Sequence, residues 1–305
     1  MSAIDIRRII APEDFVNHWD EKMSDEQYHL IDTFIGSSSA KIALDSMAGF
    51  HSYFFLGNKP DETPDQKTGK RVHMALLEPK TFKKRLIVEP VFSTGGDTSM
   101  RIKNNQRQRN DWILDKPKNA VIVDQDELDQ VIGIVEAIMK HDQGFALIKD
   151  GRTELAGFAR CPITGLGIKI KPDFLSHDFS RFSDYKTTRS TVKRKFMKDV
   201  FDYFRYDFQL AFYLYGIKLI TKGMRPDLIS ILASEKKPPY EPAAFYFTNF
   251  ELERAEAQVI EVLKKIRLAV DTNVWPFRQQ QIERAKPPKF IEGLDNDDDE
   301  SLGVD

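Results

Sequence analysis

The chain has 305 residues, 41% of them hydrophobic, and a formal net charge of −2. This length and apolar fraction predict one large domain with a sizeable core. The single cysteine, Cys161, excludes an internal disulfide framework and any four-cysteine zinc or iron–sulfur site, and it fits a reducing compartment. The chain opens without an apolar signal core, and no apolar run approaches the roughly 18 residues of a membrane span. We therefore expect a cytoplasmic protein with no membrane partner.

Charge is distributed unevenly along the chain. The last 14 residues, 292–305, hold seven acidic side chains and neither Lys nor Arg, which leaves 45 basic against 40 acidic side chains elsewhere. A mildly basic body is compatible with a DNA partner, although many neutral enzymes share this balance. We predict that the tail 293–305 is disordered. It is a nucleic-acid mimic, a docking peptide or a solvated tail with no assigned task.

The first third of the chain predicts helices, loops and one short strand. In order these are a mixed arm over 1–36, a helix over 40–49 capped by Ser37–Ser39, an exposed loop over 58–70, a helix over 71–78 stopped by Pro79, and a strand over 86–90. Residues 93–111 contain Arg101, Lys103, Arg107 and Arg109 and almost nothing apolar. They predict a basic flexible loop, either solvated surface or a contact for phosphate groups.

A core helix and a hairpin come next. Asp124 opens an Asp-x-x-Glu capping box, and apolar residues at helical spacing over 128–139 predict a core-facing helix with no chemistry of its own. Strands over 154–160 and 167–175 are expected to pair around a turn at Pro162–Gly165, whose Pro and Gly are turn formers.

The last third predicts two more strands and two long helices. They are a largely buried helix over 203–220, strands over 227–234 and 243–247, and an amphipathic closing helix over 250–270. This order of elements predicts an α/β domain with a mixed central sheet flanked by helices. On the helix over 203–220, Tyr206, Gln209 and Tyr213 share one face.

Two strand-like runs, 168–175 and 181–187, carry the strongest chemical signal. Asp184 and Lys186 project from one face of their strand, because side chains alternate along a strand. If the two runs pair, Asp173 comes close to Asp184. Carboxylate oxygens are the ligands that Mg²⁺ requires, and a nearby Lys can orient a metal-bound water. The cluster therefore predicts a metal site for phosphodiester hydrolysis, with surface charges on a sheet edge as the alternative.

Histidine spacing excludes the common zinc sites. His73 lies alone in an apolar segment, where a structural histidine is the favoured interpretation from the spacing by itself. The other five histidines match no zinc motif, and the sequence contains neither a phosphate-binding loop of the Gly-x-x-x-x-Gly-Lys type nor a nucleophile elbow.

Five short motifs occur in order between about Ser37 and Pro276. They are His73–Pro79, Glu154, Lys171–Asp173, Asp184–Thr188 and Gln209–Tyr213. Each motif is weak alone, but the ordered set resembles the PD-(D/E)XK nucleases of the exonuclease VIII (RecE) type. The resemblance implies a restriction-endonuclease-like fold, with an N-terminal arm over 1–36, an exonuclease domain over 37–292 and the acidic tail over 293–305.

The resemblance also assigns roles to individual side chains. It implies a Mg²⁺ site, with Mn²⁺ as a substitute, whose ligands are Asp173, Asp184, the backbone carbonyl of Tyr185, His73 and, by its matching acidic position, Glu154. It implies catalytic roles for His73, Asp173, Asp184, Lys186, Gln209 and Tyr213. Lys186 would position the attacking water, and the Gln-x-x-x-Tyr pair would support the site and the DNA strand. The second acidic residue of the motif is Asp184 rather than the Glu that is more usual in the superfamily. The exonuclease VIII branch also resembles this Asp-x-Lys pattern.

The resemblance to this family also implies a particular activity. We expect a Mg²⁺-dependent 5′→3′ exonuclease on double-stranded DNA ends, phage-encoded, that generates 3′ single-stranded tails for homologous recombination by strand annealing. A homo-oligomeric ring and a single-strand annealing protein as partner are implied. The alternatives are an endonuclease or single-strand DNase of the same fold, or a catalytically silent DNA-binding scaffold.

Overall fold

A computed structural model describes residues 5–278 of the chain. The helices, numbered α1 to α11 in chain order, are Asp25–Leu30, Ser37–Asp45, Met47–Phe50, Pro64–Leu77, Pro79–Arg85, Lys103–Leu114, Gln125–Met139, Asp142–Leu147, Arg194–Asp202, Tyr206–Ile220 and Asn249–Thr272. The strands, β1 to β10, are His18–Asp20, Leu86–Val88, Val121–Val123, Gly151–Thr153, Ala156–Arg160, Gly167–Ile170, Phe174–Ser176, Arg181–Thr188, Leu228–Glu235 and Pro242–Tyr246.

The central sheet has five strands in the order β10-β9-β8-β7-β4. Strands β8 and β9 run parallel, and the other neighbours run antiparallel. Strand β8 lies in the middle of this sheet, and its central residues are buried. The predicted α/β class with a mixed central sheet flanked by helices is therefore confirmed.

A second, three-stranded sheet in the order β1-β5-β6 contains the predicted hairpin. The single strand predicted over 168–175 is wrong, because β6 ends at Ile170 and β7 begins at Phe174. Pro172 lies in the break; it has no N–H to donate to a ladder and so favours a strand boundary. The chain leaves one sheet and enters the other at Lys171–Asp173, which places Asp173 at the junction.

Helix α10 lies in the main core. Its residues from Asp207 to Ile217 are buried with the exception of Gln209, which is half-buried. The helix packs against α11 and α2 on one side and against β5 and β6 on the other. The prediction that this helix is buried on most sides is confirmed, so a polar side chain on it needs a partner inside the fold.

The exposed loop predicted over 58–70 is wrong in its second half. Helix α4 begins at Pro64, where Thr63 and Gln66 form a reciprocal capping box and proline occupies the first helical position. Proline is favoured at that position because the first N–H groups of a helix have no partner within it. Pro79 was expected only to stop the preceding helix. It also occupies the first position of α5, where proline is favoured for the same reason.

The flexible basic loop predicted over 93–111 is also wrong in part, because α6 covers Lys103–Leu114. Asn105 on this helix is fully buried, and its amide donates to the carbonyls of Asp97 and Ser99 at 2.9 and 3.0 Å. The Asn105 side chain thus holds the turn that precedes α6. The helix has no apolar stripe that would have predicted it from the sequence.

The proposed division of the chain stays a prediction. The acidic tail 293–305 lies outside the described residues, and so does the end of the domain predicted at residue 292. Between residues 5 and 278, no helix is long and apolar enough to cross a membrane.

Candidate metal and nuclease site

Four separate elements bring the site residues to one place. His73 lies on α4, which packs across β8. Glu154 lies in the short connection between β4 and β5, and Asp173 lies in the junction between the two sheets. Asp184 and Lys186 lie on β8. In the antiparallel register, Phe174 pairs with Ser183, so Asp173 lies next to Asp184.

His73, Glu154 and Asp173 form a compact group of potential ligands. The His73 Nε2 atom lies 3.2 Å from Glu154 Oε1 and 3.1 Å from Asp173 Oδ1. One ligand atom from each residue falls within 4.8 Å of the others. An imidazole and two carboxylates at this spacing can converge on one cation.

Glu154 is held in an unusual backbone conformation. Its φ of 54° lies in the left-handed region, which a non-glycine residue rarely adopts and which costs about 1–3 kcal/mol. Its N–H donates to the Asp173 carbonyl at 3.2 Å, and the Lys171 ammonium lies 2.5 Å from its Oε2. Lys171 also contacts Asp25 on α1. These contacts hold Glu154 against the other two ligands.

Asp173 is connected directly to β8. Its Oδ2 accepts the Tyr185 N–H at 2.6 Å. The N–H and C=O of one strand residue point to the same neighbouring strand, so the Tyr185 carbonyl faces the same edge of β8 as its N–H. Strand β7 pairs with β8 only as far as Ser183, which leaves that edge open beside the three-ligand group.

Asp184 faces a different set of partners on the same strand. Its carboxylate is 1% exposed, its Oδ2 contacts the Lys186 ammonium, and its Oδ1 accepts from Gln209 Nε2 at 3.2 Å. The Lys186 Nζ also lies 5.1 Å from the centroid of the Tyr206 ring, a cation–π distance. Asp184 and Lys186 therefore project together, and Gln209 joins them from α10.

The charges in this cleft shift one another's pKa values. Burial opposes the charged form of His73, but the carboxylates of Asp173 and Glu154 outweigh it and raise the pKa to about 9. Burial would raise the pKa of Asp173, but His73 and Lys186 lower it to about 2. Burial, followed by the charge of Asp173, raises the pKa of Asp184 to about 6. Perturbation of several neighbouring groups in one cleft is typical of functional sites.

The donor set fits a hard divalent cation. Oxygen ligands from carboxylates and a neighbouring imidazole are available. Two buried carboxylate oxygens, Glu154 Oε1 and Asp184 Oδ2, lie against His73 and Lys186 but accept no hydrogen bond of regular geometry from the described residues. Buried acceptors normally have partners. A cation held by His73, Glu154 and Asp173, beside Asp184, would provide them.

The remaining predicted residue, Tyr213, lies farther back. It is one turn beyond Gln209 on α10, buried, with its ring centroid 5.9 Å from that of Phe182 on β8. Burial raises the pKa of its hydroxyl well above the usual value. It packs against Phe182 on the same face of β8 as Asp184, and Gln209 is the member of the pair that touches the site.

Sequence reasoning assigned no role to three side chains near the site. Lys41 on α2 donates to Gln209 Oε1 at 3.2 Å, the ring of Tyr206 lies under Lys186, and Lys171 supports Glu154. Helical spacing placed Tyr206 on the face of Gln209, and Lys171 belonged to the motif of Asp173, but Lys41 was not singled out. No sequence pattern links Lys41 to Gln209, because the two residues are 168 positions apart.

The chain resembles known proteins both in sequence profile and in fold. The sequence profile of a family described as a PDDEXK-like domain of unknown function (DUF3799) matches residues 39–288. A crystal structure from Eubacterium rectale, described as a "putative exonuclease", superposes with a TM-score of 0.59 and 17% identity, covering 91% of this chain and 100% of its own. At that identity the likeness shows the fold alone. No curated protein matches the sequence at a significant level.

The profile covers most of the chain and includes every residue of the cleft described above. Its description, the mixed sheet and the structural neighbour agree on the same fold. Together they support a nuclease, and the carboxylate and imidazole groups form a site suited to a divalent metal. The chain belongs to the PDDEXK-like domain family.

Proposed function

We propose that the protein is a Mg²⁺-dependent exonuclease of the exonuclease VIII type that degrades double-stranded DNA from its 5′ ends. One observation carries the proposal: a ligand group of half-buried His73 and Glu154 and buried Asp173 lies beside the Asp184–Lys186 pair. A carboxylate cluster next to an ammonium suits hydrolysis of a phosphodiester, because the carboxylates can bind a metal and the ammonium can meet the developing negative charge.

The proposed chemistry divides between two sets of side chains. His73, Asp173 and Glu154 would hold the cation, with Asp184 and the Tyr185 carbonyl beside them. When bound, Mg²⁺ would polarise the scissile phosphate and lower the pKa of a water. Lys186, half-enclosed at 18% side-chain exposure, would orient the attacking water and stabilise charge on the phosphate oxygens.

Support from Gln209 and Tyr213 is indirect in this scheme. Gln209 would hold Asp184 in place through its amide, and Tyr213 would pack beside it against Phe182 of β8. Side chains that orient ligands influence a metal site almost as strongly as the ligands do. Replacing Gln209 is therefore expected to affect catalysis more than replacing Tyr213, whose role is packing.

The finer assignments rest on the motif resemblance. They are 5′→3′ polarity, a preference for duplex ends, a phage origin, generation of 3′ tails for recombination, a homo-oligomeric ring and a strand-annealing partner. Light scattering of the purified protein tests the ring, since a monomer in solution at micromolar concentration would contradict it. Co-purification with an annealing protein tests the partner.

One pair of substrates separates the exonuclease from its alternatives. Linear duplex and covalently closed plasmid are incubated with Mg²⁺, the linear duplex carrying a label at its 5′ or its 3′ ends. The proposal predicts early release of the 5′ label and survival of the closed circle. Rapid loss of the circle would establish an endonuclease, and early release of the 3′ label would reverse the polarity. A labelled single-stranded oligonucleotide is added as a third substrate, and its cleavage alone would make the protein a single-strand DNase.

A catalytically silent scaffold predicts a different outcome. It would bind DNA and release no nucleotide with Mg²⁺ or Mn²⁺. The complete set of His73, Asp173, Asp184 and Lys186 argues against this alternative, since each keeps a contact to another member of the site.

A further inference from the structure

Lys41 is a partly buried cation that the nuclease chemistry leaves without a role. It lies on α2, and its ammonium donates to Gln209 Oε1 at 3.2 Å and to the Phe204 carbonyl at 3.4 Å. It also lies 5.6 Å from the centroid of the Tyr206 ring, which Lys186 approaches as well. Burying an ammonium requires compensating contacts, and those of Lys41 are supplied by the start of α10 and the segment before it.

The Gln209 amide has a donor end and an acceptor end. Its Nε2 group only donates, and its Oε1 only accepts. Asp184, as a carboxylate, only accepts, and the Lys41 ammonium only donates. With Lys41 on one side and Asp184 on the other, one orientation of the amide satisfies both neighbours. In that orientation Nε2 donates to Asp184 Oδ1 at 3.2 Å.

Fixing Oδ1 of Asp184 determines where its second oxygen points. Oδ2 faces the Lys186 ammonium and accepts no regular hydrogen bond from the described part of the chain. A flipped amide would place Oε1 against the carboxylate, and Asp184 would lose its donor on α10. The orientation of Asp184 thus depends on Lys41, which lies two contacts away through Gln209.

We propose that Lys41 is a positioning residue of the nuclease site, whose ammonium holds the Gln209 amide so that it donates to Asp184 and leaves Oδ2 of that carboxylate free for the metal and Lys186. The inference rests on the proposed function. It adds a residue of α2 to a site whose other members come from α4, β8, α10 and the two junctions beside the sheet.

The test is a set of variants measured in two ways. Lys41→Met keeps the apolar stem and removes the donors, Lys41→Arg keeps a cationic donor, and Gln209→Met removes the amide. Steady-state cleavage of linear duplex gives kcat and KM, and titration calorimetry with Mn²⁺ on the DNA-free protein gives metal affinity without any turnover. Thermal unfolding of each variant confirms that it is folded.

Lys41→Met is expected to lower kcat or Mn²⁺ affinity by about tenfold or more, the usual effect of removing a group that orients a ligand, with KM for DNA unchanged. Lys41→Arg should recover most of the loss. In the Gln209→Met background, Lys41→Met should have no further effect, because residues that act through one contact are not additive. Lys169→Met is the control: it removes another ammonium, a buried one that contacts the carbonyls of Tyr28 and Ile31.

Three results would overturn the inference. They are wild-type kcat and metal affinity in Lys41→Met, a rise in KM alone, which would make Lys41 a DNA contact, and full additivity with Gln209→Met. The proposed function fails separately, if the wild-type protein neither binds Mn²⁺ nor releases nucleotides. Metal binding without cleavage still tests Lys41, since the calorimetric comparison does not need turnover.

Discussion

At the scale of single residues, the proposed chemistry depends most on the charge of Lys186. Its ammonium contacts Asp184 and lies over the ring of Tyr206, and burial alone would have lowered its pKa, but the carboxylates of Asp184 and Asp173 raise it. The side chain therefore stays charged at neutral pH. A charged group in a partly enclosed cleft interacts with a phosphate more strongly than it would in water.

Lys186→Met is expected to lower kcat for duplex cleavage by about 100-fold or more, as when one electrostatic stabiliser is removed from an active site. Binding of DNA, measured by fluorescence anisotropy in Ca²⁺, should be essentially unchanged. Lys84→Met on the exposed face of α5 serves as the control and should keep full activity. Undiminished cleavage by Lys186→Met would remove this residue from the site.

A second residue-scale prediction concerns pH and stability. Burial, followed by the charge of Lys59, lowers the pKa of Lys169 from 10.5 to about 8. Between these values the unfolded chain holds a proton that the folded chain has released, so the free energy of unfolding rises with pH in that interval. Below about pH 8 both states are protonated, and the cost of burying the charge is fully present.

Urea unfolding of the wild type and of Lys169→Met at pH 7 and pH 10 isolates this contribution. The wild type should gain stability relative to the variant as the pH rises from 7 to 10. A difference between the two proteins that stays constant, or that moves the other way, would show that the Lys169 ammonium is not destabilised by burial.

The sequence predicted the ligands and the lysine of the site better than the contacts that hold them in place. Alternation along a strand brought Asp184 and Lys186 together, and both lie on one face of β8 as expected. Glu154 in its left-handed conformation and Lys41 on α2 depend on contacts between distant segments. Such contacts have no periodic signature, so a single sequence does not reveal them.

At the scale of elements, α4 connects a surface capping box to the ligand His73. Thr63 accepts the Gln66 N–H, and the Gln66 side chain accepts the Thr63 N–H. This reciprocal pair satisfies two N–H groups that have no partner within the helix. His73 follows on the same helix, so the beginning of α4 contributes to the stability of the site.

Thr63→Ala should destabilise the protein by about 1 kcal/mol, a typical value for the loss of a helix N-cap. Thr63→Ser keeps the hydroxyl and should stay near the wild type. Urea unfolding monitored by tryptophan fluorescence measures both. Equal stability of all three proteins would show that the capping box contributes nothing to α4.

Elements with an apolar stripe were predicted well, and elements without one were not. Helices α7, α10 and α11 follow the expected spacing of apolar residues. Helix α6 contains Arg, Gln and Asn in most positions, and its one fully buried polar residue, Asn105, forms hydrogen bonds that a sequence pattern does not encode. Polar composition alone therefore led to the wrong prediction of a loop.

At the scale of the whole molecule, the site lies where two sheets meet. The chain passes from β6 in one sheet to β7 in the other through Lys171–Asp173, and the ligands come from both sides of that passage. The sequence predicted the motifs on either side of Pro172 but joined them into one strand. The sequence analysis predicted one central sheet and not the division of the strands into separate sheets. Pairing between strands that are far apart in the sequence depends on packing rather than on local pattern.

The proposed function requires that His73, Glu154, Asp173, Asp184 and Lys186 act as one metal-dependent nuclease site. The most direct test incubates wild-type protein and Asp173→Asn with end-labelled linear duplex, with Mg²⁺ and with EDTA, and measures released nucleotide and bound DNA together. We predict release by the wild type with Mg²⁺ alone, and no release by the variant although it still binds DNA. Equal release by the two proteins, or release in EDTA, would contradict the claim.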